Sequence, residues 1–86
     1  MEISVKINYR GTKMQELRKK RQLSQSQLAE ATGISVRMIQ KYEQGEKDLN
    51  GAKLETILRI CAALDCKMID ILNDPITVQL LKNYGE

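Results

Sequence analysis

Histidine, tryptophan and phenylalanine are absent from this chain of 86 residues, proline occurs once and cysteine twice. Without histidine there is no Cys–His nucleophile, and two thiols alone cannot complete the four-ligand set of a structural zinc site. There is no Gly-rich phosphate loop either. The acidic Asp65, Asp70 and Asp74 fall on separate local elements and read as solvated or capping positions. No catalytic residue, no metal and no cofactor is therefore expected. With aromatics at 3% the core must be aliphatic, built from Leu, Ile, Val and Met, which suits helices packed on helices. Cys61 and Cys66, five positions apart in an apolar context, read as ordinary core or half-buried thiols in a reducing compartment. No apolar run reaches the roughly 18–20 residues needed to span a bilayer, and the N-terminus lacks the apolar stretch of a signal peptide. A soluble, cytoplasmic protein is expected, with no membrane partner.

The length sets the next bound. A chain this short buries only about 60–65% of the surface its unfolded form exposes, which is enough for one domain. The formal charge is +3 but unevenly spread: residues 1–45 carry nine Lys/Arg against four Asp/Glu, and residues 46–86 carry five against seven. The first half is thus the one suited to facing a polyanion.

Residues 2–9 alternate polar and apolar, with Ile3, Val5, Ile7 and Tyr9 on one side, the period of a half-buried strand. Arg10-Gly11 breaks it. Lys13 to Arg21 reads as a first helix with Met14 and Leu17 inward and Lys13, Arg18, Lys19, Lys20 and Arg21 around the rest. Ser24 and Gln27 form a capping-box pattern that opens a second helix, Gln25 to Thr32, which Gly33 ends. Ser35 is the N-cap of a third helix, through about Gln44, closed by Gly45. A polar loop leads to a fourth helix with Leu54, Ile57, Leu58 and Cys61 spaced i, i+3, i+4, i+7, and Lys67 to Leu72 reads as a short fifth. In the tail, Asp74-Pro75 is a good N-cap and first-turn pair, whereas Ile76, Thr77 and Val78 are β-formers that suit a strand paired with the N-terminal one. The capping pair tips the balance to helix.

Two short helices around a Gly-containing turn are by themselves a common αα-hairpin. The string from Leu17 to Leu72 is more specific. Leu23-Ser24-Gln25, Leu28-Ala29, Gly33-Ile34-Ser35, Ile39, Tyr42-Glu43-Gln44-Gly45 and Leu54-Glu55-Thr56 together resemble the lambda-repressor-like helix-turn-helix family, the Cro- and Xre-type regulators. The resemblance implies an all-α, five-helix domain over residues 12–73, flanked by an N-terminal strand-like extension, 1–11, and a C-terminal tail, 74–86, available for dimerisation.

It also implies a function: sequence-specific binding of double-stranded DNA as a transcriptional regulator, with the third helix in the major groove. In the family, the positions matching Ser35, Val36, Arg37 and Lys41 line the groove. Arg37 can pair bidentately with guanine, Lys41 can reach guanine or a phosphate, and Val36 can pack on a thymine methyl. Gln25 matches a residue that contacts the DNA backbone, where the free N–H groups of a helix start favour phosphate. Ser24, Gln40, Lys19, Lys20 and Arg21 are further candidates for backbone contact. Arg18 and Glu43 match a pair that ties the first helix to the end of the third. An apolar Val36, where many relatives carry Gln, means that the target cannot be copied from other members.

The expected partners are a two-fold symmetric operator and a second copy of the chain, joined through residues 2–9 and 75–84. An antitoxin or partner-binding regulator would use the same domain and turn its terminal extensions to another protein. The helices alone do not separate these two readings.

Overall fold

A computed structural model describes residues 12–85; the strand expected over residues 2–9 lies outside them. Five α-helices follow in chain order: α1 (Lys13–Lys20), α2 (Gln25–Thr32), α3 (Val36–Gln44), α4 (Leu54–Leu64) and α5 (Pro75–Tyr84). Two single 3-10 turns, Leu49–Gly51 and Met68–Asp70, flank α4, and no strand occurs among the described residues. The domain is all-α.

Four of the five helices, all but α4, start where a side chain takes up an orphan N–H. The Thr12 hydroxyl accepts from Gln15 at 3.1 Å to open α1. Ser24 and Gln27 exchange two bonds, at 2.8 and 3.0 Å, to open α2. Ser35 accepts from Met38 at 3.1 Å at the start of α3. At the other ends, Gly33 and Gly45 close α2 and α3 in the left-handed region, at φ 77° and 81°, where a side chain would be strained.

Asp74 accepts from the Thr77 N–H at 2.9 Å and, with Pro75 behind it, makes the tail a helix rather than a strand. The expected helix from Lys67 to Leu72 is only a 3-10 turn, Met68–Asp70, set between two helix boundaries. An N-cap is extended, and the residue before proline is pushed out of the helical region, so Asp74 cannot continue a helix. Upstream, α4 closes through left-handed Asp65, with the Cys66 N–H donating to the Cys61 carbonyl at 3.0 Å. Between those two terminations the Lys13 ammonium takes the Ile69 and Leu72 carbonyls, and the chain makes one tight turn.

The core joins Met14, Leu28, Ala29, Ile39, Tyr42, Leu49, Ile57, Ile60, Cys61, Leu64, Ile71 and Leu72. Two sequence expectations change here. The inward face of α4 is Ile57, Ile60, Cys61 and Leu64, while Leu54 and Leu58 stay 60% and 47% exposed. Both spacings are helical and share Ile57 and Cys61, so only the neighbouring helices decide between them. On α1, Leu17 is half-buried while Arg18, expected on the outer face, is buried beside Met14.

Three basic side chains anchor helix ends instead of lying free in solvent. Lys13 donates to the carbonyls of Leu72 and Ile69 at 2.8 and 3.0 Å. Arg21 donates to those of Leu64 and Asp65 at 2.8 and 3.2 Å, closing the end of α4. Arg59 reaches the Thr32 carbonyl at 3.3 Å at the end of α2. A cation at a helix C-terminus satisfies an orphan carbonyl and meets the negative end of the dipole.

The shifted face of α4 is testable by truncation. Ile60→Ala and Leu64→Ala should each lower unfolding free energy by about 2–5 kcal/mol, and Leu58→Ala by less than about 1 kcal/mol. Urea unfolding followed by circular dichroism measures this; a Leu58→Ala loss equal to that of Ile60→Ala would restore the original face.

Candidate nucleic-acid interface

Helices α2 and α3 meet across Gly33 and Ile34, with Leu28, Ala29 and Ile39 buried in the contact. Ala29 is small enough for the helices to approach closely. The turn is held by Thr32, a buried residue whose hydroxyl donates to the Leu28 carbonyl at 2.8 Å and accepts from the Ile34 N–H at 3.2 Å. Nothing in the local pattern marks Thr32, because its role exists only once the turn has formed.

On α3, Ile39, Tyr42 and Glu43 face inward. That leaves Val36, Arg37, Gln40, Lys41 and Gln44 within an arc of about 140° on the other side. Arg37, Gln40 and Gln44 are exposed, Val36 and Lys41 half-buried, and Ser35 exposed at the N-cap. Among the described contacts Arg37 has no hydrogen-bond partner, so its guanidinium is free to fork onto an external acceptor pair. Ser24 is exposed and occupied by its capping bond. Lys19 and Lys20 are exposed near the end of α1.

Below this face lies a polar network. Arg18 Nε donates to Glu43 Oε2 at 2.7 Å and Nη2 to Oε1 at 3.0 Å, a forked pair whose side chains are only 9% and 0% exposed. Arg18 Nη1 also donates to the Leu23 carbonyl at 2.7 Å. Glu43 Oε1 accepts a third bond, from Gln25 Nε2, at 2.9 Å. The Gln25 oxygen in turn accepts from Gln40 Nε2 at 3.3 Å.

Four side chains thus connect α1, the first turn of α2 and both sides of α3. Gln25, singled out in the sequence as a backbone-contacting residue, is also a structural link. The attachment spans 18 residues in sequence, so no local spacing could reveal it. One Nε2 hydrogen of Gln25 remains for another acceptor, and the first-turn N–H groups of Gln25 and Ser26 have no partner within the helix. Gln40 lies beside them, so the start of α2 and the outer arc of α3 form one continuous face.

No group of three or more His, Cys, Asp or Glu able to hold a metal occurs among the described residues. Nor is any helix there long and apolar enough to cross a membrane. The face carries the exposed Ser35, Arg37, Gln40 and Gln44 beside the half-buried Val36 and Lys41.

A family model described as the Cro/C1-type HTH DNA-binding domain matches residues 13–75. No curated protein and no solved structure matches the chain. The family match covers most of the sequence, from the start of α1 to the first residue of α5, and includes both helices of the interface. The chain belongs to the Cro/C1-type helix-turn-helix family and carries its DNA-binding domain.

The buried pair dictates an asymmetric response to substitution. Glu43→Gln leaves the Arg18 guanidinium enclosed without a counter-charge and should cost about 3–5 kcal/mol of stability. Replacing both partners with apolar residues, Arg18→Met with Glu43→Leu, removes the charge and should recover most of that loss. Denaturant midpoints for the two variants decide it; a double variant no more stable than Glu43→Gln would show that the pair contributes more than mutual neutralisation.

Proposed function

We propose that this Cro/C1-type chain is a sequence-specific regulator of transcription that reads the major groove with the outer arc of α3 and binds a two-fold symmetric operator as a homodimer. The observation that carries this reading is Arg37, exposed on an outer arc that the Glu43 network fixes from beneath. Arg37 is placed to pair with guanine, Lys41 to reach guanine or a phosphate, and Val36 to pack on a thymine methyl. Ser35 lies at the same end of the helix, which is the end that meets base edges.

Phosphate contact falls to the start of α2 and the end of α1. The free N–H groups and positive dipole end at Gln25 favour an anion, and the remaining Gln25 hydrogen, Ser24 and Gln40 border the same spot. Lys19 and Lys20 are candidates for a second phosphate, since Arg18 and Arg21 are occupied within the fold.

The homodimer is supported by α5. Ile76, Leu80 and Tyr84 are 71%, 52% and 82% exposed and follow at i, i+4, i+8. They form one apolar stripe about 12 Å long. Lys82 is the only charged residue in that helix. A two-fold contact through this stripe would set Leu80 against its symmetry mate and Ile76 against Tyr84. A single recognition helix reads only a few base pairs, so a second copy supplies the specificity one domain lacks.

Two tests separate these assignments. Arg37→Ala should cost about 1–3 kcal/mol on the preferred operator and relax choice at one base pair, with little effect on random duplex. Lys19→Ala and Lys20→Ala should weaken every duplex and flatten the slope of log K against log salt by roughly one unit each. Titrating operator and random duplex at several salt concentrations reads both; equal losses on the two duplexes for Arg37→Ala would remove α3 from base readout. For the dimer, Leu80→Glu should give one chain per operator by light scattering where the native chain gives two. Two chains bound by that variant would move the interface elsewhere.

A further inference from the structure

The two cysteines lie away from the DNA face, and the closure of α4 brings them together. Asp65 turns the chain in the left-handed region, and the Cys66 N–H then donates to the Cys61 carbonyl at 3.0 Å. With standard bond lengths, that contact limits the two Cα atoms to less than about 7 Å apart, which brings them within reach of a disulfide. In this type of helix ending, the two residues so bonded also bring their side chains into contact. The thiols face each other closely enough that each alters the other's ionisation. Both line a groove of about 410 Å³ between the end of α4, the Met68–Asp70 turn and α5, together with Leu58, Met68 and Leu81.

Their exposures differ. Cys61 is 7% exposed, in the core, whereas Cys66 is half-buried at the groove wall. We propose that Cys61 and Cys66 are a modification site, a dithiol that closes to an intramolecular disulfide when the chain meets a low-molecular-weight disulfide.

The steps balance without any other reagent. Cys66, the accessible thiol, loses its proton and attacks one sulfur of the small disulfide, breaking its S–S bond and expelling a thiolate. Cys61 then loses its proton and attacks the Cys66 sulfur of the mixed disulfide, expelling the second small thiolate. The protein thiols supply two electrons and two protons, and the small disulfide leaves as two thiols. The second step is intramolecular, between groups already in contact, so the mixed disulfide does not accumulate.

Burial keeps the pair from reacting indiscriminately. It pushes the Cys66 thiol up to about 12, reinforced by the adjacent Cys61, and also raises Cys61, against a hydrogen bond with Cys66 that acts to lower it. The thiolate is the attacking form, so at neutral pH the first step is slow and the dithiol persists under reducing conditions.

The test uses the full chain in glutathione buffers of increasing disulfide content, quenched with an alkylating reagent and read by intact mass and peptide mapping. The native chain should lose about 2 Da, with both cysteines protected from alkylation and no lasting glutathione adduct. Cys61→Ser removes the resolving thiol and should accumulate a mixed disulfide at Cys66, while Cys66→Ser should remain largely unmodified because its remaining thiol is in the core. Circular dichroism checks that both variants fold, and the native result stands without them. A lasting glutathione adduct on the native chain, a disulfide between chains, or two free thiols at a ratio that oxidises a simple dithiol would each overturn the proposal.

Discussion

Glu43 brings a negative charge into the interior at the last turn of α3, where a charge is tolerable only while its oxygens are occupied. Arg18 supplies two parallel N–H bonds and Gln25 a third. The forked geometry of a guanidinium fixes direction as well as distance. Because the three donors come from α1 and from the first turn of α2, the position of α3 relative to both is determined from beneath. Gln40 extends the same network to the outer arc. A base-reading helix must present its side chains within a fraction of an ångström, and rigid support from a satisfied polar network is one means of holding them.

The same logic divides the basic residues into two groups. The excess of positive charge in the first half of the chain is not all available to a polyanion. Lys13, Arg18 and Arg21 are bound to internal carbonyls or to Glu43. Lys19, Lys20, Arg37 and Lys41 remain on the surface or its margin. Cations that close helix ends stabilise the scaffold, while the others remain accessible to an external anion. The apolar stripe of α5 is a separate surface, and the dithiol groove lies along another flank of that helix, so dimer contact and thiol chemistry need not compete.

Much of this could be read from residues a few positions apart. The Ser24–Gln27 box, the Ser35 cap, the terminating Gly33 and Gly45 and the Asp74-Pro75 start are local events, and local sequence specifies them. What escaped depends on distance. The apolar residues of α4 offer two overlapping helical spacings, one of them through Leu54, Ile57, Leu58 and Cys61, and only the packing of α2 against the helix selects Ile60 and Leu64. The helical pattern of α1 alone sets Arg18 on the outer face, since its partner lies 25 residues away; only the family resemblance pairs it with Glu43, as the structure does. The segment at Met68 has the apolar spacing of a helix, and neither the left-handed Asp65 before it nor the distant Lys13 bonded to its Ile69 and Leu72 carbonyls is visible in that spacing. Among the candidate site residues, Gln25 is the instructive one: its position suggested an external contact, and its amide also serves an internal one.

If the outer arc of α3 reads bases, then its chemistry must be legible in the DNA it selects. The most direct measurement is selection from a random duplex pool with the native chain and with Val36→Gln, a change on the arc that leaves the Glu43 network intact. The native chain should enrich a two-fold symmetric site with half-sites about one helical turn apart. Val36→Gln should shift preference at one position in each half-site, toward a base that an amide can pair with, and leave the half-site spacing unchanged. Identical enriched sites from the two chains, or no enriched site from the native chain, would contradict the assignment of α3 to base recognition.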